Sequence, residues 1–198
     1  MTFALTQTGP AAGSSSRVAA ACSDDMLVAR IAGGDRLAMQ TLFARHRVAV
    51  YRWLVRMVRD EASAEDLLSE VFLDVWRQAA KFEARSSVST WLLGIARYKA
   101  LSARRLRADT ELTDRIAATV ADPADDPELA LQQKKRDELV RRALAKLPPE
   151  HSAVIDLTYY HGKSVRDVAE ILGIPEATVK TRMFHARKKL AALIKTAW

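Results

Sequence analysis

One cysteine, seven glycines and six prolines in 198 residues leave little room for several architectures. The lone Cys22 cannot form an internal disulfide, and no second cysteine lies nearby to build a zinc knuckle. So few glycines and prolines cannot supply the closely spaced turns of an all-β sandwich. No apolar run approaches the roughly 20 residues that span a bilayer, so membrane insertion is not expected. The first residues are rich in Thr, Ser, Gly and Ala, without the basic-then-apolar order of a secretory signal. A reducing cytoplasm is the expected compartment. Neither GxxxxGK[ST] nor GxGxxG occurs, so no nucleotide cofactor is expected. His46, His151 and His161 stand singly, where packing or capping is expected and metal binding is not. Carboxylate pairs such as Glu65-Asp66 and Asp125-Asp126 have no convergent histidine or nucleophile, so the chain is not expected to be an enzyme.

What is present is apolar and basic. The chain is 49% hydrophobic and 28% charged, enough to fill a core, and its abundant Ala, Leu, Arg and Glu favour helices. Lys and Arg outnumber Asp and Glu by 31 to 24, a net charge of +7, which points to a polyanionic partner once the charge is located.

Residues 1–22 read as a disordered tail. Ser23-Asp24-Asp25 then starts a helix that Gly33-Gly34 stops, and Asp35 caps a second. Ser63 and Asp66 resemble a capping box ahead of an apolar stripe through Leu67, Leu68, Val71, Phe72, Val75 and Trp76. A loop from Phe82 to Ser89 without helical period precedes a fourth helix, from about Thr90 to Arg107. Charge changes abruptly at its end. Between Lys81 and Arg107 there are seven basic residues against Glu83 alone. From Asp109 to Glu128 there are seven acids against Arg115 alone, with Pro123 and Pro127. This is the linker signature of the sequence. An amphipathic helix from Leu129 to Leu147 follows, ended by Pro148-Pro149, and another runs from about Glu150 to Tyr160. The expected fold is all-α: a helical bundle at 23–108 and a helix-turn-helix domain at 129–198, joined by a flexible acidic linker at 109–128.

The last segment carries the most specific pattern. Ser164 caps a short helix with Val165, Val168, Ala169 and Leu172 inward and Asp167 in its first turn. Gly173 turns the corner, Ile174 plugs it, and Pro175-Glu176 opens a second helix. That helix turns Val179, Met183, Ala186 and Leu190 inward. Thr178, Lys180, Thr181, Arg182, Phe184, His185 and Lys188 fall on its other faces, as a helix entering the major groove requires. An ordinary helical hairpin with a solvated basic face shares this pattern. The loop Arg85, Ser86, Ser87 with Tyr98, Lys99, Ser102 and Arg105 interleaves cations, hydroxyls and an aromatic ring, which suits unstacked bases and phosphates. A solvated basic helix is again the plainer reading.

Three ordered signatures resemble the sigma-70 family of bacterial transcription initiation factors, and within it the extracytoplasmic-function (ECF) group. They are Ala64-Glu-Asp-Leu-Leu-Ser-Glu-Val-Phe-Leu-Asp-Val-Trp-Arg77, Trp91-Leu-Leu-Gly-Ile-Ala-Arg97, and Leu147-Pro-Pro-Glu150 through Tyr159-Tyr-His-Gly162 to Ile174–Arg182. The resemblance implies that Asp66, Ser69 and Glu70 dock on the clamp of core RNA polymerase, whose flap is a further contact. It implies that the second signature and its loop read the melted minus-ten element, and that the third binds the minus-thirty-five element. It also implies an anti-sigma partner, no cofactor, and a linker that threads through the polymerase cleft. Ser69 stands where the family usually has Gln, Tyr98 and Ser102 where it has Asn and Asp, Ala177 where Gly is common, and His185 where Arg is common. No promoter sequence therefore carries over. Two other classes share parts of the pattern: an autonomous helix-turn-helix regulator with a helical sensor domain, and an adaptor whose basic faces only solubilise it.

Overall fold

The computed structural model describes residues 22–110, 143–144 and 146–195, and these contain helices and turns with no strand. The tail at 1–21, the linker from 111 on and most of the helix expected at Leu129–Leu147 lie outside them.

Each helix of the N-terminal bundle begins where a carboxylate or hydroxyl can accept its first free amides. Helix α1 (Asp24–Ala32) is capped by Ser23, which accepts from the Met26 amide at 3.3 Å, and ends at Gly33. Helix α2 (Arg36–Val58) is capped by Asp35, which accepts from the Leu37 and Ala38 amides at 2.9 and 3.1 Å. Helix α3 (Glu61–Gln78) starts earlier than the Ser63/Asp66 pair predicts. Asp60 is its cap and accepts from the Ser63 amide at 3.0 Å, so Ser63 is the third helical residue rather than the cap. A short 3₁₀ turn (Ala79–Lys81) leads into the loop, and Ser87 accepts from the Thr90 amide at the head of α4 (Val88–Thr110).

The apolar stripes meet inside. Leu27, Val28 and Ile31 of α1, Leu42, Val50, Trp53 and Leu54 of α2, Val71 and Val75 of α3, and Leu92, Ala96 and Ala100 of α4 are all at most 2% exposed. Each large side chain buried this way contributes about 1.5–3 kcal/mol of transfer free energy. Three polar contacts add direction. Asp24 of α1 binds Arg45 at 2.8 Å and His46 at 2.7 Å on α2, and the Cys22 carbonyl accepts from Arg45 at 2.8 Å.

The C-terminal unit comprises α5 (Pro149–Ile155), a π-helical turn (Asp156–Tyr160), α6 (Val165–Leu172) and α7 (Glu176–Lys195). The helix expected at Glu150–Tyr160 thus changes hand-hold halfway, widening into a π turn that points Asp156 and Leu157 inward. The capping box of α6 is formed as expected: Ser164 accepts from the Asp167 amide at 3.1 Å while Asp167 accepts from the Ser164 amide at 3.2 Å. Gly173 closes α6 at φ 60°, in the left-handed region, with no atom within 4 Å of an added Cβ. Gly173→Ala is therefore expected to cost about 1–2 kcal/mol from backbone strain alone, read as a lower urea midpoint with an unchanged m-value.

The two units are not merely leashed. Val154, Leu157, Val168, Ile171, Leu172, Val179 and Met183 belong to the same apolar cluster as the bundle core, and α6 packs on α4. A smaller cluster of Leu147, Ile155 and Ala186 sits between α5 and α7.

Candidate nucleic-acid interfaces

Helix α7 turns Val179, Met183 and Ala186 into the core and leaves the opposite face to solvent. Lys180, Thr181, Phe184, His185 and Lys188 are exposed, while Thr178 and Arg182 are half-buried. Phe184 is 64% exposed, a large apolar ring on a cationic helix, and meets the His185 ring edge-on at 5.4 Å. His185 in turn stacks on His151 of α5 at 6.4 Å. Donors, a methyl-seeking ring and imidazoles on one accessible face match what major-groove edges present. Arg187 lies toward Tyr159, 5.7 Å from its ring centroid.

In the bundle, the loop ahead of α4 turns through Ala84 at φ 52°, a left-handed conformation at a residue with a Cβ. Phe82 packs on Trp91 at 4.8 Å and fixes the loop to α4. Arg85 is exposed and pairs with Glu83 at 2.5 Å. Ser87 is exposed and Ser86 half-buried. Tyr98 is 73% exposed, and Ser102 and Arg105 are exposed along the same helix. An unburied tyrosine among hydroxyls and cations offers a stacking face for a base.

Lys99 is placed differently from the sequence expectation. Its ammonium reaches back to α3, 3.1 Å from Glu70 and 3.0 Å from Asp74, and is largely withdrawn from solvent. The hydrogen bond to Asp74, ahead of that to Glu70, raises its basicity against the opposing effect of burial. Lys99 therefore ties α4 to α3, because the i, i+4 pair Glu70 and Asp74 faces it. Asp66, Ser69 and Glu70 are exposed on α3, next to Leu73 at 47% exposure, and form an acidic face with an apolar ridge. Ser69 spends its hydroxyl on the Glu65 carbonyl at 3.2 Å.

Several polar contacts cross between the two units, and periodicity in the sequence does not reveal them. Arg56 of α2 pairs with Asp156 of the π turn, whose side chain is 5% exposed, and stands 4.0 Å from the Tyr160 ring centroid. The His161 ring meets Trp53 edge-on at 6.0 Å. Lys163 donates to the hydroxyls of Ser89 at 2.5 Å and Thr90 at 3.1 Å, and Thr90 donates to Asp167 at 3.2 Å. Only the Asp167 cap among these was legible, from its place three residues after Ser164.

Burial, then the positive charges of Arg56, Lys163 and Arg52, lowers the His161 pKa to about 4, although Asp156 lies 3.6 Å from its Nε2. His161 is thus neutral in the folded protein at neutral pH. The unfolded chain takes up the proton near pH 6.5, before the folded one does. The stability this provides is complete above about pH 6.5 and falls as pH drops toward 4, by up to about 3 kcal/mol. Thermal melts from pH 7.5 to 4.5 should show this decline, and His161→Phe, which keeps the ring without the proton site, should flatten it.

Among the described residues no group of three His, Cys, Asp or Glu is arranged to hold a metal, and no helix is long and apolar enough to cross a membrane.

The geometry is that of a paired nucleic-acid reader: a helix-turn-helix with an open recognition helix, and a bundle with a cationic, tyrosine-bearing helix. Residues 42–110 match the family model for sigma-70 region 2, and residues 137–190 match that for sigma-70 region 4. The chain is 34% identical over 173 residues to the ECF RNA polymerase sigma factor SigM of Mycobacterium tuberculosis, covering 87% of this chain and 85% of that protein. It is 32% identical over 170 residues to the ECF RNA polymerase sigma factor SigK of Mycobacterium bovis, covering 84% and 90%. The chain belongs to the sigma-70 family, in its ECF group. Among solved structures it is similar to CnrH in complex with the cytosolic domain of CnrY, with a TM-score of 0.64 and 26% identity over 87% of this chain and 97% of that one. It is also similar to the sigma factor RpoE in complex with the anti-sigma factor NepR from Bartonella quintana, with a TM-score of 0.66 and 26% identity over 79% and 96%.

Proposed function

We propose that this chain directs core RNA polymerase to promoters by dividing recognition between its two units. The exposed Asp66, Ser69 and Glu70 on α3, with Leu73 beside them, are complementary to a partner face presenting arginine and apolar groups, here the polymerase clamp. Arg85, Ser86, Ser87, Tyr98, Ser102 and Arg105 receive the unpaired minus-ten strand, with Tyr98 supplying a stacking face. Lys99 supports them by fixing α4 to Glu70 and Asp74. Capture of unstacked bases offsets the few kcal/mol that each costs to extrude. Thr178, Lys180, Thr181, Arg182, Phe184, His185 and Lys188 bind the minus-thirty-five duplex, and the polymerase flap holds this unit in place. Segments 23–108 and 129–198 act as the two modules, 109–128 as an acidic linker in the polymerase cleft, and 1–22 as a tail. The chain works in the cytoplasm by recruitment and supplies no covalent chemistry. An anti-sigma factor is its regulatory partner, a reading supported by the similar RpoE structure, which is a complex with the anti-sigma factor NepR.

The observation that carries this reading is the pairing of an accessible α7 face with an accessible Tyr98 on a separate cationic helix. Run-off transcription with core polymerase and this chain on a promoter library tests it. Discrete starts from a subset of templates, absent with core alone, are expected. Sequence-specific duplex binding without polymerase, and no starts with it, would instead identify an autonomous regulator.

A further inference from the structure

A cavity of about 170 Å³ lies where α2, the head of α4 and the residues that follow the π turn meet. One wall is apolar: Val50 of α2 and Leu92 and Leu93 of α4 line it and are at most 2% exposed. Ala49 and Tyr160 also line it and are themselves exposed, so the cavity opens to solvent on their side. An apolar cavity of about 150 Å³ holds benzene, so a six-membered ring fits a space of this size. None of the lining residues belongs to the polymerase-docking face of α3 or to either DNA face.

The polar side of the lining holds a cation without a counterion. His46 is satisfied within the bundle, with its Nε2 2.7 Å from Asp24. Lys163 is half-buried and donates to the neutral hydroxyls of Ser89 and Thr90, and it makes no ion pair among the described residues. Two of its three ammonium protons are used in this way and the third is left. Burial lowers the basicity of Lys163, and the charge of Asp167 opposes this only in part. An ammonium withdrawn from water without a paired anion is costly, and a ligand anion would supply the missing partner. Beside it the His161 side chain is 5% exposed, and its Nε2 has no hydrogen-bond partner, because Asp156 at 3.6 Å is beyond reach. One ammonium facing an apolar wall suits a compact monoanion carried on an apolar body. A phosphate monoester would bring a second charge for which the lining has no second unpaired cation.

We propose that this cavity is a binding site for a small organic monocarboxylate, of the size of benzoate or a branched six-carbon acid. The carboxylate sits on the Lys163 ammonium, and the apolar body lies against Val50, Leu92 and Leu93. The site goes beyond promoter recognition and does not depend on which DNA the chain reads.

The test titrates the full-length chain, with carbon-13-labelled Ala, Leu and Val methyls, with benzoate, 4-methylpentanoate and benzamide, the uncharged isostere of benzoate. Benzoate or 4-methylpentanoate should shift the methyls of Ala49, Val50, Leu92 and Leu93 with a dissociation constant of about 1 mM or tighter, as ligands of about nine non-hydrogen atoms allow. Benzamide should bind about tenfold more weakly than benzoate, because it lacks the charge-assisted contact. Lys163→Met should abolish that preference. Ala49→Phe places a ring at the mouth from an exposed helical position and should abolish binding altogether. Far-UV circular dichroism shows which variants are folded. If Lys163→Met is not, the benzoate–benzamide comparison on wild type and the Ala49→Phe result decide. The proposal is overturned if neither carboxylate moves these methyls at about 10 mM, well above the expected constant. It is overturned as well if benzamide matches benzoate, if the preference survives in folded Lys163→Met, or if binding survives in folded Ala49→Phe.

Discussion

Trp53→Ala is expected to destabilise the protein by about 3–5 kcal/mol, a large share of the roughly 5–15 kcal/mol that holds a domain folded. Trp53 is 1% exposed in the C-terminal half of α2 and is among the largest fully buried side chains. Its ring lies against the bundle core on one side and meets His161 of the other unit at 6.0 Å. Truncation removes the transfer free energy of an indole and leaves a cavity that helices from two units would have to collapse together to fill. Urea denaturation monitored by circular dichroism should show a markedly lower midpoint. A change within about 0.5 kcal/mol, typical of an exposed site, would show that this ring is not in the core.

Replacing Lys180, Arg182 and Lys188 together with Gln is expected to flatten the salt dependence of minus-thirty-five duplex binding by about 2.7 in the slope of log K against log salt. At 0.1 M salt this corresponds to about a 500-fold loss of affinity, if the three side chains meet phosphates. Titrations of the holoenzyme at several salt concentrations measure it. The same triple variant should leave core binding unchanged, because none of the three belongs to the α3 face of Asp66, Ser69 and Glu70. If the loss is sequence-dependent and the slope is unchanged, these residues read base edges and not phosphates. Phe184→Ala gives the complementary case: the ring carries no charge, so discrimination at one base pair should fall while the slope stays fixed.

The helices, most of their caps and the solvent-facing side of α7 were legible because each depends on residues within one or two turns of chain. Ser23, Asp35 and Ser164 announce helix starts by chemistry that acts three residues away, and Gly173 marks the only turn geometry its corner allows without strain. The outward face of α7 follows from the spacing of Val179, Met183 and Ala186. The cap of α3 was misplaced by three residues because Asp60 and Ser63 both suit that role, and only the backbone shows which one precedes the first helical turn. Lys99 illustrates a different limit. A lysine in a cationic helix reads as a nucleic-acid contact until α3 is seen to bring Glu70 and Asp74 within 3.1 Å.

Sequence by itself determined the all-helical class, the two units and the family, since periodicity, caps and three ordered signatures are local properties of the chain. Tertiary structure alone decided that the units close on one another, that Asp156 and His161 are buried between them, and that the Thr90 hydroxyl meets both Lys163 and Asp167 at the start of α6. The physical reason is sequence separation. Thr90 and Asp167 are 77 residues apart, and no local pattern of apolar and polar residues encodes which distant donor a buried hydroxyl will meet.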